Sequence, residues 1–154
     1  MNAATCRLLL ATILSLFLVG CSPAPSPTPT STVTIQQAAE SYSAFSTTWT
    51  GTYTDRLNAD AAAADADPEK VAQYARTLVE AYGAFEDGIR SIEFPDSLQP
   101  TVQQELDAVD VLVALARQLT QGPINLSVKS ELQNALGRVG QRSAAVELAL
   151  GLHH

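Results

Sequence analysis

The sequence predicts an all-α protein, an antiparallel up-down-up-down four-helix bundle preceded by an apolar leader and a proline-rich linker. Two observations predict this class. Apolar residues recur every three or four positions along four segments after residue 32, which is the spacing of one face of a helix. Of the eight prolines, four lie within residues 23–29 and the other four, at 68, 95, 100 and 123, fall between these segments. Segments of about 25–30 residues joined by short turns favour antiparallel neighbours.

In the first segment a helix competes with a strand. Residues 46–54 (STTWTGTYT) are rich in Thr and aromatic side chains, which favour strands. We expect a helix, because helical spacing extends through this stretch and the alanine-rich residues after it run up to Asp67-Pro68. The residues with helical spacing are Ile35, Ala38, Tyr42, Phe45, Trp49 and Tyr53.

The second segment has the clearest start. Asp67, Pro68 and Glu69 supply an N-cap, a proline at the first helical position and an acidic residue in the first turn. Glu86 precedes Arg90 by four positions, the order that favours an ion pair on a helix surface. The apolar stripe comprises Val71, Tyr74, Leu78, Tyr82, Phe85, Ile89 and Ile92.

The last two segments carry aliphatic stripes. The third begins near Asp96 or Pro100 and ends at Gly122-Pro123, and the fourth runs from about Asn125 or Ser127 to Gly151. Gly137 and Gly140 mark either a close helix contact or an exposed face. The third stripe comprises Val102, Leu106, Val109, Val113 and Ala116, widened by Leu112, Leu115 and Leu119. The fourth comprises Val128, Leu132, Leu136, Val139, Val146 and Leu150, with Ser143 as a polar interruption.

The first twenty residues have the pattern of a secretory signal peptide. Thirteen uncharged residues, 8–20, follow Arg7. As a helix they would span about 20 Å, short of the roughly 30 Å core of a bilayer. Leu18-Val19-Gly20-Cys21 then resembles the lipobox of bacterial lipoproteins. The alternatives are an ordinary secreted protein and an uncleaved membrane anchor.

The lipobox resemblance implies a lipid anchor. It implies cleavage between Gly20 and Cys21, a diacylglycerol or acyl lipid on the Cys21 sulfur, and a place at the cell membrane on its extracytoplasmic face, periplasmic or at the cell surface. The chain then divides into a signal peptide (1–20), the lipidated Cys21 with a tether (21–32), and a four-helix domain (33–154).

The tether, SPAPSPTPTST, is expected to be an extended spacer. Its prolines exclude helix and sheet and favour polyproline II, with a reach on the order of 30 Å. Recognition by a proline-binding partner and O-glycosylation are the alternatives.

Composition excludes several function classes. Sixteen acidic against nine basic residues give a net charge of −7, which argues against a nucleic-acid partner. Histidine occurs only at positions 153 and 154, and cysteine only at 6 and 21. The helices therefore lack the usual ligands for haem or di-iron and the usual base for a serine nucleophile. We expect no catalytic residues, no metal and no cofactor other than the lipid.

Aromatic side chains concentrate in the first half of the domain. Seven of the eight that follow the signal peptide lie on the first two predicted helices. This distribution predicts either a core in which large residues face small ones, or a pocket between these helices for a flat or amphipathic ligand. The candidate pocket residues are Tyr42, Phe45, Trp49, Tyr53, Tyr74 and Tyr82.

The joint before the third segment, IRSIEFPDSLQP, and the helix after it resemble the middle of small helical bacterial lipoproteins of unknown function. The resemblance implies fold and location only. Two functions stay open for this chain. One is a non-enzymatic interaction module of the cell envelope, in contact with an envelope protein or the cell wall. The other is a small amphipathic-ligand binding protein that uses the aromatic pocket. The oligomeric state is not predicted.

Overall fold

The computed structural model describes residues 32–121 and 126–152, and within these ranges it contains four α-helices and no strand. The helices are α1 (Ile35–Ala66), α2 (Val71–Arg90), α3 (Gln99–Gln121) and α4 (Leu126–Ala149), with a short 3₁₀ turn at Pro68–Lys70. The predicted four-helix bundle is confirmed. The signal peptide, Cys21, the tether up to residue 31, the Gly122-Pro123 joint and the two terminal histidines lie outside the described residues.

Helix α1 begins with a capping box. The Gln37 backbone N–H donates to the Thr34 hydroxyl (3.2 Å), and the Thr34 backbone N–H donates to the Gln37 side chain (2.9 Å). The helix continues without a break through residues 46–54, as expected. The hydroxyl of Thr48 donates to the Ala44 carbonyl one turn earlier (2.9 Å). This threonine therefore bonds within the helix rather than competing with it.

Two joints differ in detail from the sequence expectations. The Asp67 carboxylate accepts a hydrogen bond from the Glu69 backbone N–H (2.9 Å), but it caps the 3₁₀ turn, and α2 begins only at Val71. At the other end of α2 the helix stops at Arg90, so Ile92 lies in the joint rather than in the helix. Phe94 in this joint is buried against the core and fixes the turn into α3.

Each helix packs against the next one in sequence, whereas α1 and α4 pack less closely against each other. The buried core lies wholly within residues 38–150 and contains most of the predicted stripes. The predicted ion pair between Glu86 and Arg90 forms, at 2.7 Å. Gly137 and Gly140 lie on an exposed face with no neighbouring side chain near. Within the described ranges, no helix combines the length and apolar character needed to cross a bilayer.

Candidate functional site

Four of the six candidate pocket residues join one aromatic cluster between α1 and α2. The ring centroids of Trp49 and Tyr82 are 5.4 Å apart, and those of Trp49 and Phe85 are 5.3 Å apart with an edge-on geometry. Phe45 and Tyr53 extend the cluster, at 5.4 Å from Phe85 and 5.8 Å from Trp49 respectively. Tilted and edge-on pairs at these distances are the favourable arrangements of aromatic rings.

Trp49 is held in place by its polar edge. Its indole Nε1 donates a hydrogen bond to the Ala81 carbonyl oxygen of α2, at 2.7 Å. That carbonyl lies within a helix and therefore accepts a second hydrogen bond at no cost to the helix. The bond fixes the plane of the indole and leaves one part of the ring facing a groove.

Gly88 makes room for this cluster. A Cβ atom built on Gly88 would overlap with the ring of Phe45, so only glycine lets the two helices approach at this level. Gly83, one and a half turns earlier on the same helix, has no atom within 4 Å of the position of such a Cβ. The sequence does not reveal this difference between the two glycines.

A groove of about 260 Å³ opens beside the cluster. Helix α1 contributes five residues, α2 three, and α4 a single leucine. None of the lining residues is charged. They are Trp49, Thr54, Leu57, Asn58, Ala61, Tyr74, Leu78, Tyr82 and Leu136. The groove therefore brings together Trp49, Tyr74 and Tyr82 of the predicted pocket, and Leu136 is a wall that the aromatic pattern did not indicate.

A smaller cavity of about 90 Å³ adjoins the groove and shares Ala61, Tyr74 and Leu136 with it. The Lys129 ammonium lies 3.3 Å from the Asp65 carboxylate in an ion pair between α4 and α1, and both residues line this cavity. The charges at this edge thus neutralise each other.

Tyr42 does not line the groove but forms a buried hydrogen bond between α1 and α3. It is 2% exposed, and its hydroxyl donates a hydrogen bond to Oε1 of Glu105, at 3.2 Å. Glu105 on α3 is completely buried, and its Oε2 has no hydrogen-bond partner. Ser143 and Glu147 of α4 are the other polar residues that influence the pKa of this carboxyl.

Burial is the main influence on the pKa of Glu105 and raises it, because the charged form loses its hydration. The hydroxyls of Ser143 and Tyr42 partly oppose this by favouring the ionised form, while the negative charge of Glu147 adds to the increase. Burial also raises the pKa of the Tyr42 hydroxyl, which stays protonated and remains a donor.

The position of this buried acid in the sequence indicates that it faces the core, although the predicted apolar stripe of α3 did not include it. Glu105 lies three residues after Val102 and four before Val109, so it shares the apolar face of α3. Ser143 interrupts the α4 stripe in the same way. A polar residue on the apolar stripe of each of these two helices predicts a buried polar contact. The sequence does not show that Glu105 and Ser143 are the two residues that meet.

A second polar contact joins α1 and α2. Thr77 is completely buried, and its hydroxyl donates to the Asp60 carboxylate at 2.5 Å. Within residues 32–121 and 126–152 no group of three or more His, Cys, Asp or Glu side chains is placed to hold a metal ion.

Comparison with known proteins gives no match: no family model fits the chain, and no curated protein or solved structure is significantly similar to it. The groove and the enclosed Glu105 cluster are therefore interpreted from their own chemistry. The groove offers aromatic and aliphatic surface with uncharged polar groups, and is suited to a small ligand. The Glu105 side chain is completely buried, so its carboxyl contacts only other groups of the core.

Proposed function

We propose that the chain is a membrane-anchored extracytoplasmic lipoprotein whose bundle is a non-enzymatic interaction module of the cell envelope. The observation that carries this proposal is the order of three features. An apolar run ends at Gly20-Cys21, a proline-rich tether follows, and the capping box of α1 begins at Thr34, two residues after the tether ends at Thr32. This order suits a folded body held at a distance from a lipid anchor.

The chemistry of the bundle supports a non-enzymatic role. No His or Cys occurs between residues 22 and 152. The one completely buried carboxyl among the described residues, Glu105, is enclosed in the core rather than presented at an opening. Net negative charge gives the domain no attraction to anionic headgroups, so the lipid supplies the membrane attachment.

For the proposed partner we expect a mainly polar contact. Three large hydrophobic side chains are exposed in the described part of the chain, and they belong to three different helices: Ile35, Val111 and Leu148. Scattered apolar residues are typical of a free surface, so we expect polar side chains to make most of the contact. In-cell crosslinking should yield one stoichiometric protein or cell-wall adduct, and its absence would contradict this role.

The anchor is tested with two cysteine variants. Cys21→Ser is expected to abolish incorporation of labelled fatty acid and to remove the protein from the membrane fraction. Cys6→Ser is the matched control, because Cys6 lies in the part that cleavage removes, and it should behave as wild type. Labelled, membrane-bound Cys21→Ser protein would refute the lipoprotein assignment.

A second function, binding of a small amphipathic ligand, is favoured by the uncharged aromatic groove. The chain has a single tryptophan, and Trp49 lines this groove, so its fluorescence reports on occupancy directly. Saturable changes are expected with at least one member of a panel of lipids, quinones and cell-wall fragments. A flat response to the whole panel would exclude a ligand at this site.

A further inference from the structure

We propose that the groove formed by α1, α2 and Leu136 binds a small, uncharged, planar aromatic molecule that carries carbonyl oxygens as hydrogen-bond acceptors. This inference rests on the second function above, ligand binding, and specifies the chemical class of the ligand.

The walls of the groove favour a planar ring. Trp49 and Tyr82 are fixed by mutual contact, with 5.4 Å between ring centroids, and Trp49 is fixed further by its bond to the Ala81 carbonyl. Leu57, Leu78 and Leu136 supply the remaining apolar surface. A site already fixed in this way costs little side-chain entropy when a ring enters it.

The polar groups of the groove favour acceptors on the ligand. In the described part of the chain, the hydroxyls of Tyr74 and Tyr82 and the carboxamide of Asn58 make no hydrogen bond to another protein group. A tyrosine hydroxyl, with an ordinary pKa of 10.0, is protonated at neutral pH, and burial raises the pKa of both Tyr74 and Tyr82 further, so both hydroxyls are donors. Carbonyl oxygens are the ligand groups that these donors satisfy.

The charges around the groove favour an uncharged ligand. The lining itself carries no charge. Two acidic groups close to Ala61 already have partners: Asp60, its neighbour in sequence, accepts from Thr77, and Asp65 of the adjoining cavity pairs with Lys129. A charged ligand would lose hydration in the groove without gaining an opposite charge.

The groove has room for one or two fused rings. Its 260 Å³ lies slightly below the roughly 300–1,000 Å³ typical of sites for drug-sized molecules. The adjoining cavity of about 90 Å³, which shares Ala61 with the groove, has room for a short substituent.

The test uses three probes of matched size: 1,4-naphthoquinone, naphthalene and naphthalene-2-sulfonate. They are titrated into the protein from residue 22 onward, whose core lies wholly within residues 38–150. Trp49 fluorescence is corrected for absorbance with free N-acetyltryptophanamide. We expect saturable quenching by the quinone, weaker binding of naphthalene, and no binding of the sulfonate.

Variants of the donors provide the sharper readout. Tyr74→Phe and Tyr82→Phe are each expected to weaken quinone binding about 2- to 10-fold, the effect of one net hydrogen bond. Tyr53→Phe is the matched control, because Tyr53 contacts Trp49 but does not line the groove. The affinity of this variant for the quinone should equal that of the wild type. Ala61→Leu should block binding by filling the groove, and circular dichroism checks that this variant remains folded.

The outcomes separate the ligand class from ligand binding itself. Naphthalene binding as tightly as the quinone, or tighter binding of the sulfonate, would overturn the proposed class. Either result would still support ligand binding in the groove, provided that Ala61→Leu blocks binding of the probe. No saturable binding of any probe, or of the wider panel, would overturn both.

Discussion

Replacing Glu105 by Gln tests the buried carboxyl directly. The amide keeps an oxygen that accepts the Tyr42 hydroxyl and puts an NH₂ group where Oε2 has no partner. It also removes the ionisable group. Because burial raises the pKa of Glu105 in the folded protein, the unfolded chain releases this proton first as the pH rises. The unfolded state then binds fewer protons than the folded state, so the free energy of unfolding falls with increasing pH.

The size of the effect follows from one proton. A single carboxyl changes the free energy of unfolding by at most about 1.4 kcal/mol per pH unit. The stability that the protonated form provides is fully present below the unfolded pKa, near 4.3, and is lost as the pH rises to the higher pKa of the folded state. The gap in stability between the Glu105→Gln variant and the wild type should therefore widen in favour of the variant over that window and stay constant above it.

Urea denaturation followed by circular dichroism, at intervals from pH 4 to pH 9, measures this gap. Carboxylates that do not interact with Glu105, which excludes Glu147, contribute to both proteins alike and cancel in the difference curve. Asp110→Asn is the matched control, because Asp110 lies on the exposed face of the same helix. A difference curve for Glu105→Gln (wild type minus variant) that falls no more steeply with pH than that of the control would refute the assignment of Glu105 as a buried acid with a raised pKa.

Two further predictions concern packing around the same helices. Tyr42→Phe removes the one hydroxyl bonded to Oε1 of Glu105, and we expect a loss of about 1–3 kcal/mol in the free energy of unfolding, measured by urea denaturation. An unchanged midpoint would contradict that bond. Gly88→Ala forces a methyl group into the ring of Phe45 and should cost about 1–3 kcal/mol, whereas Gly83→Ala has open space and should gain up to about 1 kcal/mol from helix propensity. Equal thermal shifts for the two alanine variants would show that Phe45 is not packed against Gly88.

The fold was predictable because its elements depend on local sequence. Proline positions indicated the joints, and the periodic spacing predicted the helical state of residues 46–54 against their strand propensity. The ends were less predictable. Ile92 continues the α2 stripe in register, yet the helix stops at Arg90 because Phe94 and Leu98 are buried in the joint that follows. That burial depends on α3, which the local pattern of α2 does not contain.

The site was predictable only in part, because periodicity identifies the inward face of a helix but not the residue it meets. Trp49 and Tyr82 do come together, and Tyr74 joins them along the groove. Tyr42 has the same helical spacing but meets Glu105 of α3 instead. From their spacing alone these tyrosines are equivalent. Their different partners depend on how α3 and α4 pack against the first two helices.

The inward side chains of α1 differ in size between its start and its end. Near the start of α1, Tyr42 is large enough to reach across to Glu105 and fill the interior. Toward the end of α1, residues 59–66 read ADAAAADA and offer no side chain longer than Asp. Ala61 and Leu136 line the groove there, together with Tyr74 and Tyr82 of α2. A larger residue at position 61 would fill this gap and bury more apolar area, which is the main stabilising contribution. The short side chains along this end of α1 thus leave the room that the proposed ligand would occupy.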